Sequence, residues 1–556
     1  MRGRIWVFFA VAFLIACSFY SIQSLIGPSY FPMHDGTQVA RVIVMGNALR
    51  DGQFPVRWVS DLGYGYGYPI FNFYGPLPYY FGGSLYAVGI DAVTATKIMF
   101  GAGALAAGIA MFLFVKEIFG GIEALVAACF YIYAPYHAVQ IYIRGAVGEY
   151  YILAFLPLYV WGIWKAIKEK EPEFFPIGAL GLAGIILSHT LLGYVTVILS
   201  AIGIFLYFLY RILKKTEWQK QSKNLLGLLF VGLLLSAFFW LPAVTEMKYT
   251  NVASQIGGNA DFKNHFVCLG QLWDSPWGFA GSGPGCIDGM SFRLGKLHVI
   301  AAIISIILLF FRKKLLSEKV LLLNISILIL FIALFFTLSF SNFIWQIIPE
   351  FEFVQYPWRF LTYAVFSLSV LSGAALTFIQ SRITKISIGV ICIAFAVFYY
   401  AKLFRPQTLY VRPTAEFASM SDLRWRVSKI SDEYLPKEVK RPNMESDIVH
   451  NTIPFDIDLK TKTEVDIGTY VRYTIESSHD KEVTIQKAFF PGWHYKVNGQ
   501  NTFLRLDNGL PVLAFKKGTN VVELFFENTG VRLIGNTVSF LSAFALLYFY
   551  GRKTIS

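Results

Sequence analysis

Residues 30–80 read YFPMHDGTQVARVIVMGNALRDGQFPVRWVSDLGYGYGYPIFNFYGPLPYY, a stretch crowded with charge, glycine, proline and aromatic rings. It follows an apolar run ending at Ile26 that has the length, about 20 residues, needed to cross a bilayer. Polar chemistry packed just outside a span belongs to a membrane protein that works at the interface, and the flanking charges decide on which side. Arg2 and Arg4 precede the span, and no A-x-A-like cleavage site follows it. The segment therefore reads as a retained helix with its N-terminus inside, which puts residues 30–80 outside.

The rest of the chain agrees with that reading. Of its 556 residues 55% are hydrophobic, 17% aromatic and 15% charged, with mean hydropathy +0.53; a soluble domain carries roughly 25% charged residues. The net charge of +13 sits mainly in short basic clusters between apolar runs, so it reports topology and excludes a nucleic-acid partner. The hydropathy predicts about twelve spans, near 5–26, 94–115, 122–139, 150–167, 175–190, 191–212, 224–242, 297–312, 319–340, 358–380, 384–403 and 533–550. Lys116, Lys165, Lys168, Lys170, Arg211, Lys214, Lys215, Lys220, Lys223, Arg312, Lys313, Lys314, Lys319, Arg382, Lys385, Arg552 and Lys553 then fall on the inner side. The segments 27–93, 140–149, 243–296, 341–357 and 404–532 face out.

Within the outer set, GTQVARVIVMGNALRDG has the spacing of an amphipathic helix lying on the interface. LPYYFGGSLYAVGI is too short to span. Residues 404–532 alternate apolar with polar residues and are punctuated by Asn-Gly, Asp-Asn-Gly and Lys-Gly turns, the pattern of an antiparallel β-sandwich; an irregular linker at 404–440 precedes it. The expected organisation is a transmembrane domain over 1–403, the extracytoplasmic β-domain over 404–532, and a final helix with a cytoplasmic tail over 533–556. Cys17, Cys129 and Cys392 lie in apolar runs, where thiols are ordinary core residues. Cys268 and Cys286 share one outer loop, either paired or as two free thiols.

Charges at the ends of spans are costly without a partner or a task. His34 and Asp35 follow the first span, Arg144 and Glu149 occupy the short YIRGAVGEYY loop, His189 stands at a hairpin turn, and Arg359 opens the tenth span in VQYPWRF. If the substrate is a lipid-linked phosphosugar, Arg144 and Arg359, with His189, suit its phosphate, and Asp35 suits the base that deprotonates an acceptor hydroxyl. Glu149 would assist, through a divalent cation (Mg or Mn) shared with Asp35 or by orienting the acceptor. His34, Arg57 and Tyr74 are candidate substrate contacts. Each has a plainer alternative: an N-cap for Asp35, an ion pair for Arg144 and Glu149, a satisfied bundle histidine for His189, a snorkelling anchor for Arg359, and the aromatic belt for the GYGYGYPIFNFYGPLPYY run. Asp51, Arg57 and Asp61 also suit turn and interface positions. P-loop, GxGxxG, HExxH and paired CxxC motifs are missing from the sequence.

HDG, DGQFPVRWVSDLGYGYGYPIFNFYGPLPYY, RGAVGEYYILAFLPL, FFWLPAVTE, VQYPWRFL and FFPGWHYKVNG together resemble the bacterial YfhO-like membrane proteins and their pyruvoyl-tetrahydropterin-synthase-related relatives, in the GT-C superfamily of integral-membrane glycosyltransferases. The resemblance implies a polyprenyl-phosphate sugar donor, inverting transfer on the outer face of a prokaryotic cytoplasmic membrane, and an essential acid in the first outer loop, which maps onto Asp35. A second acid in the second outer loop maps onto Glu149 by position, although the loop offers Glu after RGAVG in place of an Asp motif. The acceptor expected is an extracytoplasmic glycan, lipid or protein. The alternatives are a lipid-glycan flippase, which calls for broken helices and internal repeats, and a non-catalytic assembly protein.

Overall fold

In hydrocarbon every peptide group must find its partner inside the chain, so long apolar runs become helices. The computed structural model describes residues 2–168, 176–215, 219–311, 315–502 and 505–555. Among these, eight helices are long and apolar enough to cross a membrane: Ile5–Leu25, Ala92–Ile118, Val147–Lys168, Thr190–Leu213, Ser317–Thr337, Pro357–Phe378, Arg382–Leu403 and Gly530–Tyr548. Two further pairs, Gly121–Ile132 with Pro135–Arg144 and Gln219–Leu235 with Ala237–Tyr249, are bent by 40° and 71° and raise the number to ten if each is one span. Twelve spans are therefore not confirmed: the runs at 175–190 and 297–312 form the shorter helices Pro176–Ser188 and Lys296–Phe311. Of the inner basic residues, Lys170, Arg312, Lys313 and Lys314 lie outside the described residues.

The helix opened by Arg359 is the centre of the bundle. Every residue from Leu361 to Ala374 is buried, so this segment meets protein on all sides rather than lipid. The expected amphipathic helix forms over Gln38–Arg50, but it does not lie on a surface. Its residues from Gln38 to Gly46 are all buried, because the helix packs under Leu77–Ala87 and over Ala92–Ile118. The single charge in its middle, Arg41, is thereby carried into the core.

The C-terminal region holds eight strands: β1 Leu459–Asp466, β2 Tyr470–Ser477, β3 Lys481–Thr484, β4 Trp493–Val497, β5 Gln500–Asn501, β6 Arg505–Asp507, β7 Leu510–Phe515 and β8 Gly518–Phe526. They make two antiparallel sheets in the orders β1-β2-β8-β4-β5 and β3-β7-β6. Val471, Tyr473 and Ile475 on β2 turn inward with Val522 and Leu524 on β8, the two-residue period of a half-buried sheet. Chain without strands precedes β1 as far as residue 458, longer than the expected linker, and it includes the short helical turns Thr414–Phe417, Ser421–Val427 and Ser428–Ile430.

A buried polar chain holds this region against the helices. Glu246 accepts from Arg532 Nε and Nη2 at 3.0 and 2.9 Å, from the Thr529 hydroxyl at 2.8 Å and from Asn72 Nδ2 at 2.8 Å. Arg57 extends it, donating to Asn72 Oδ1, to the Phe238 carbonyl and to Asn536 Oδ1. Arg57 is 2% exposed, and burial pushes its guanidinium down to about 10. It is a structural tie and not the substrate contact expected of it.

Candidate active site

The loop that follows the first span is clamped onto the turn that carries Arg144. The N–H groups of His34 and Asp35 donate to the carbonyls of Ile143 and Arg144, both at 2.9 Å, and Gln38 Nε2 donates to the Gly145 carbonyl at 2.7 Å. Gln140–Arg144 is a π-helical turn, a local widening common at functional sites, and it ends at Gly145 with φ +65°. A Cβ there would sit 2.0 Å from Met33 Sδ. Only glycine lets residues 33–35 approach this closely.

The clamp leaves the Asp35 carboxylate free. Thr37, and not Asp35, is the N-cap of the Gln38–Arg50 helix, and among the described residues the Asp35 side chain makes no hydrogen bond or ion pair. It lies within electrostatic range of Arg144 and Tyr79. His34 points elsewhere: its Nε2 donates to the Phe279 carbonyl at 2.9 Å. That carbonyl belongs to the loop closed by a Cys268–Cys286 disulfide, so these two cysteines pair.

Behind Asp35 lies a carboxylate with no free capacity. Glu149 has a fully buried side chain and pairs with Arg144 Nη1 at 2.6 Å and with Arg359 Nε at 3.9 Å. Its other oxygen accepts from the Tyr136 hydroxyl at 2.6 Å, Gln140 Nε2 at 3.1 Å and the Thr362 hydroxyl at 3.2 Å. A group so saturated can neither take a proton from a substrate nor enter a coordination shell. The sequence-based roles of Glu149, as catalytic acid and as metal ligand with Asp35, do not fit these surroundings. No group of three or more His, Cys, Asp or Glu side chains that could hold a metal ion occurs among the described residues.

Glu149 positions two arginines instead. The Trp358 ring lies 4.2 Å from the Arg144 guanidinium and the Tyr356 ring 5.0 Å from that of Arg359, stacking that suits guanidinium planes. Arg359 Nη1 is spent on the Val354 carbonyl at 2.6 Å. The Nη2 groups of both arginines donate to nothing among the described residues. Two oriented cations, half neutralised from behind, thus keep donors for an anion.

His189 joins them, in electrostatic contact with Arg359, Glu149 and Arg144. Its Nδ1 accepts the Leu192 N–H at 3.3 Å and caps the helix Thr190–Leu213, so a neutral ring carries its proton on Nε2. The turn is wedged in place: a Cβ on Gly75 would lie 2.1 Å from the Ser188 carbonyl oxygen, and the Thr190 hydroxyl donates to the Phe73 carbonyl at 2.6 Å. Next to Gly75, the Tyr74 ring covers Arg41 at 4.1 Å.

Sequence reasoning missed Arg41, Tyr136, Trp358 and Glu433. Arg41 donates to the Tyr79 hydroxyl at 3.2 Å and to Ser431 Oγ at 2.9 Å, and Ser431 in turn donates to Glu433. Burial pushes the Glu433 carboxyl up, against the pull of Arg41. The signal for Arg41 was a lone cation inside ARVIVM; partners some 390 residues away leave no trace in the local sequence.

Between Val147–Lys168, Thr190–Leu213, Ser317–Thr337 and Pro357–Phe378 runs an apolar cavity of about 320 Å³. Phe360 and Tyr363, next to Arg359, line it together with Ile167 and Leu225. Of its few polar groups Tyr159 pairs with Ser200 at 2.6 Å and Thr196 with Tyr363 at 2.8 Å, while the buried Tyr207 hydroxyl makes no hydrogen bond among the described residues.

A family model described as bacterial membrane protein YfhO matches residues 58–423, a range that holds Tyr74, Arg144, Glu149, His189 and Arg359 and begins after Asp35. An uncharacterized protein of Lactococcus lactis subsp. cremoris (strain MG1363) is 28% identical over 242 residues, 41% of this chain and 37% of that protein; the chain thus spans little more than a third of this curated relative. Among solved structures, arabinofuranosyltransferase AftD from Mycobacteria is similar with TM-score 0.47 and 13% identity over 74% of this chain and 28% of its own. The archaeal oligosaccharyltransferase AglB from Archaeoglobus fulgidus, in complex with an inhibitory peptide and a dolichol-phosphate, is similar with TM-score 0.40 and 14% identity over 72% of this chain and 55% of its own.

Proposed function

The chain belongs to the bacterial membrane protein YfhO family, and from that premise we propose that it is a membrane glycosyltransferase taking a sugar from a polyprenyl-phosphate donor. The observation that carries the reading is an unpaired carboxylate, Asp35, within electrostatic range of Arg144, which Glu149 holds together with Arg359. The apolar cavity that begins beside Arg359 supports it, since an isoprenoid tail lodged there brings its phosphate to the arginines.

The chemistry then needs few groups. Arg144 and Arg359 bind the donor phosphate, with His189 Nε2–H as a third donor. Asp35 accepts the proton of the acceptor hydroxyl as the oxygen attacks the anomeric carbon from the face opposite the phosphate. The bond between that carbon and the phosphate oxygen breaks, its electron pair leaves on the phosphate, and the arginines stabilise the added charge. Configuration inverts, and polyprenyl phosphate is the second product. The Cys268–Cys286 disulfide, in a loop that touches His34, fits an oxidising outer compartment, so transfer on the outer face of the cytoplasmic membrane belongs to this reading.

The test is reconstitution of the purified protein with polyprenyl-phosphate sugars, assayed for transfer and for sugar release, with and without a chelator. Activity should be chelator-insensitive, and Asp35→Asn should lower it by about 10²–10⁴-fold, the usual worth of a positioned base, without lowering the melting temperature. An Asp35→Asn protein of full activity ends the assignment. The two bent helix pairs favour a second reading, a lipid-glycan transporter, whose sites form at broken helices; movement of the glycolipid across vesicles without sugar release would select it.

A further inference from the structure

A polar cavity of about 740 Å³ lies away from Asp35. It opens between the C-terminal end of the Gln38–Arg50 helix, residues 58–61 and the β-region. Its lining runs along that helix from Val44, about 9 Å from the first helical residue at 1.5 Å per residue, to Asp51, about 20 Å along, and does not include Asp35, Arg144 or Arg359. The cavity therefore cannot hold the reacting groups.

Its wall has a distinct chemistry. Asp51, Asp61 and Asp466 gather on one side, and their mutual repulsion together with burial raises the Asp51 carboxyl. Asp61 is paired with Arg424 at 3.1 Å, whereas the Asp51 side chain has no hydrogen bond or ion pair among the described residues. Lys487, 4% exposed, adds a buried ammonium that lies 4.4 Å over the Trp493 ring and whose one hydrogen bond is to the Gly468 carbonyl at 3.3 Å, so it keeps donor capacity. Thr461 and Thr463 add hydroxyls, and at the rim stands Phe455, 95% exposed.

Unsatisfied acceptors and donors side by side, a surplus of carboxylates and an exposed ring match a ligand that both donates and accepts hydrogen bonds, carries no negative charge and presents flat apolar faces. We propose that this cavity binds a neutral, hydroxyl-rich glycan segment. Carboxylates accept from vicinal hydroxyls, Lys487 donates to ring or hydroxyl oxygens, and Phe455 stacks on a sugar face. A polyanionic chain is repelled by Asp51 and Asp466. If the chain is a glycosyltransferase, which rests on the reading above, the ligand is the body of the acceptor, held about 10–20 Å from its reacting end. The acceptor is then an extended chain of several sugars.

Binding to the full-length protein in detergent, measured by calorimetry, tests this with neutral gluco-, galacto-, manno- and N-acetylglucosamine oligosaccharides of graded length, with dextran and with dextran sulfate. At least one neutral series should bind more tightly as it lengthens, and Phe455→Ala and Asp51→Asn, each changing a side chain without protein partners, should each weaken it about tenfold. Dextran sulfate should not compete. No binding by any neutral series, wild-type affinity in both variants, or preferential binding of dextran sulfate overturns the proposal. Sugar release from the donor alone, measured on the same preparation, reports separately on glycosyl transfer: its loss with glycan binding intact sinks the enzymatic reading and leaves the cavity assignment standing.

Discussion

Glu149 shows how far a residue's role depends on what surrounds it. A carboxylate buried between two arginines is held by their charge, and removing one partner of such a set strands the others. Glu149→Gln should therefore cost about 3–5 kcal/mol, the usual penalty for an uncompensated buried charge, seen as a fall in melting temperature in detergent. Arg144→Lys is a different experiment. It keeps the charge but loses the planar fork and its stacking on Trp358, so stability should change little. kcat/KM for the donor should drop by about one to two orders of magnitude, the factor that corresponds to 1.5–3 kcal/mol for a hydrogen bond to a charged group. The sequence made Asp35, Arg144, His189 and Arg359 legible because charged groups at span ends are rare. It could not make their division of labour legible, since the Tyr136, Gln140 and Thr362 bonds that saturate Glu149 arise from three separate stretches of chain.

At the scale of elements, the clamp between the loop that follows the first span and the π-helical turn depends on Gly145. Gly145→Ala forces both a strained φ and a contact with Met33 Sδ. It should separate Asp35 from Arg144 and reduce transfer, with partial recovery in the Met33→Ala, Gly145→Ala double variant because the obstructing atom is the end of a flexible side chain. Lys487 tests the packing of the β-region. Burial lowers its ammonium from 10.5 to about 8, so between those pH values the unfolded chain binds more protons than the folded one, and stability rises with pH across that window. Below about pH 8 the full penalty is present. Lys487→Met should flatten this pH dependence and stabilise the protein at pH 7 by about 3 kcal/mol at 1.36 kcal/mol per pH unit, measured as melting temperature against pH. The strand pattern and its turns were readable from alternation alone. The Gln38–Arg50 helix was misjudged as interfacial because periodicity reports that one face is apolar and does not report what covers the other.

Over the whole molecule, the reading ties an intramembrane cavity to an aqueous site. Gly203 lines that cavity, and a Cβ there meets nothing within 4 Å. Gly203→Phe should occupy the space, raising KM for a long polyprenyl-phosphate donor while leaving a short-chain isoprenyl-phosphate donor nearly unaffected; equal effects on both would remove the tail from this place. By itself, the sequence determined that the chain is a polytopic membrane protein with a β-rich C-terminal region, and which charged residues stand near span ends, because hydropathy and side-chain period are local properties that solvent and bilayer read directly. Its count of twelve spans is not confirmed, because apolar composition does not distinguish a crossing helix from a short or bent one and eight helices, or ten with the bent pairs, qualify among the described residues. Only the tertiary structure decided that Asp35 is left free, that Glu149 is saturated, that Arg57 is a structural tie and that Arg41 is buried against Ser431. Those outcomes depend on which distant segments meet, and a buried polar group takes its character from its partners rather than from its neighbours along the chain.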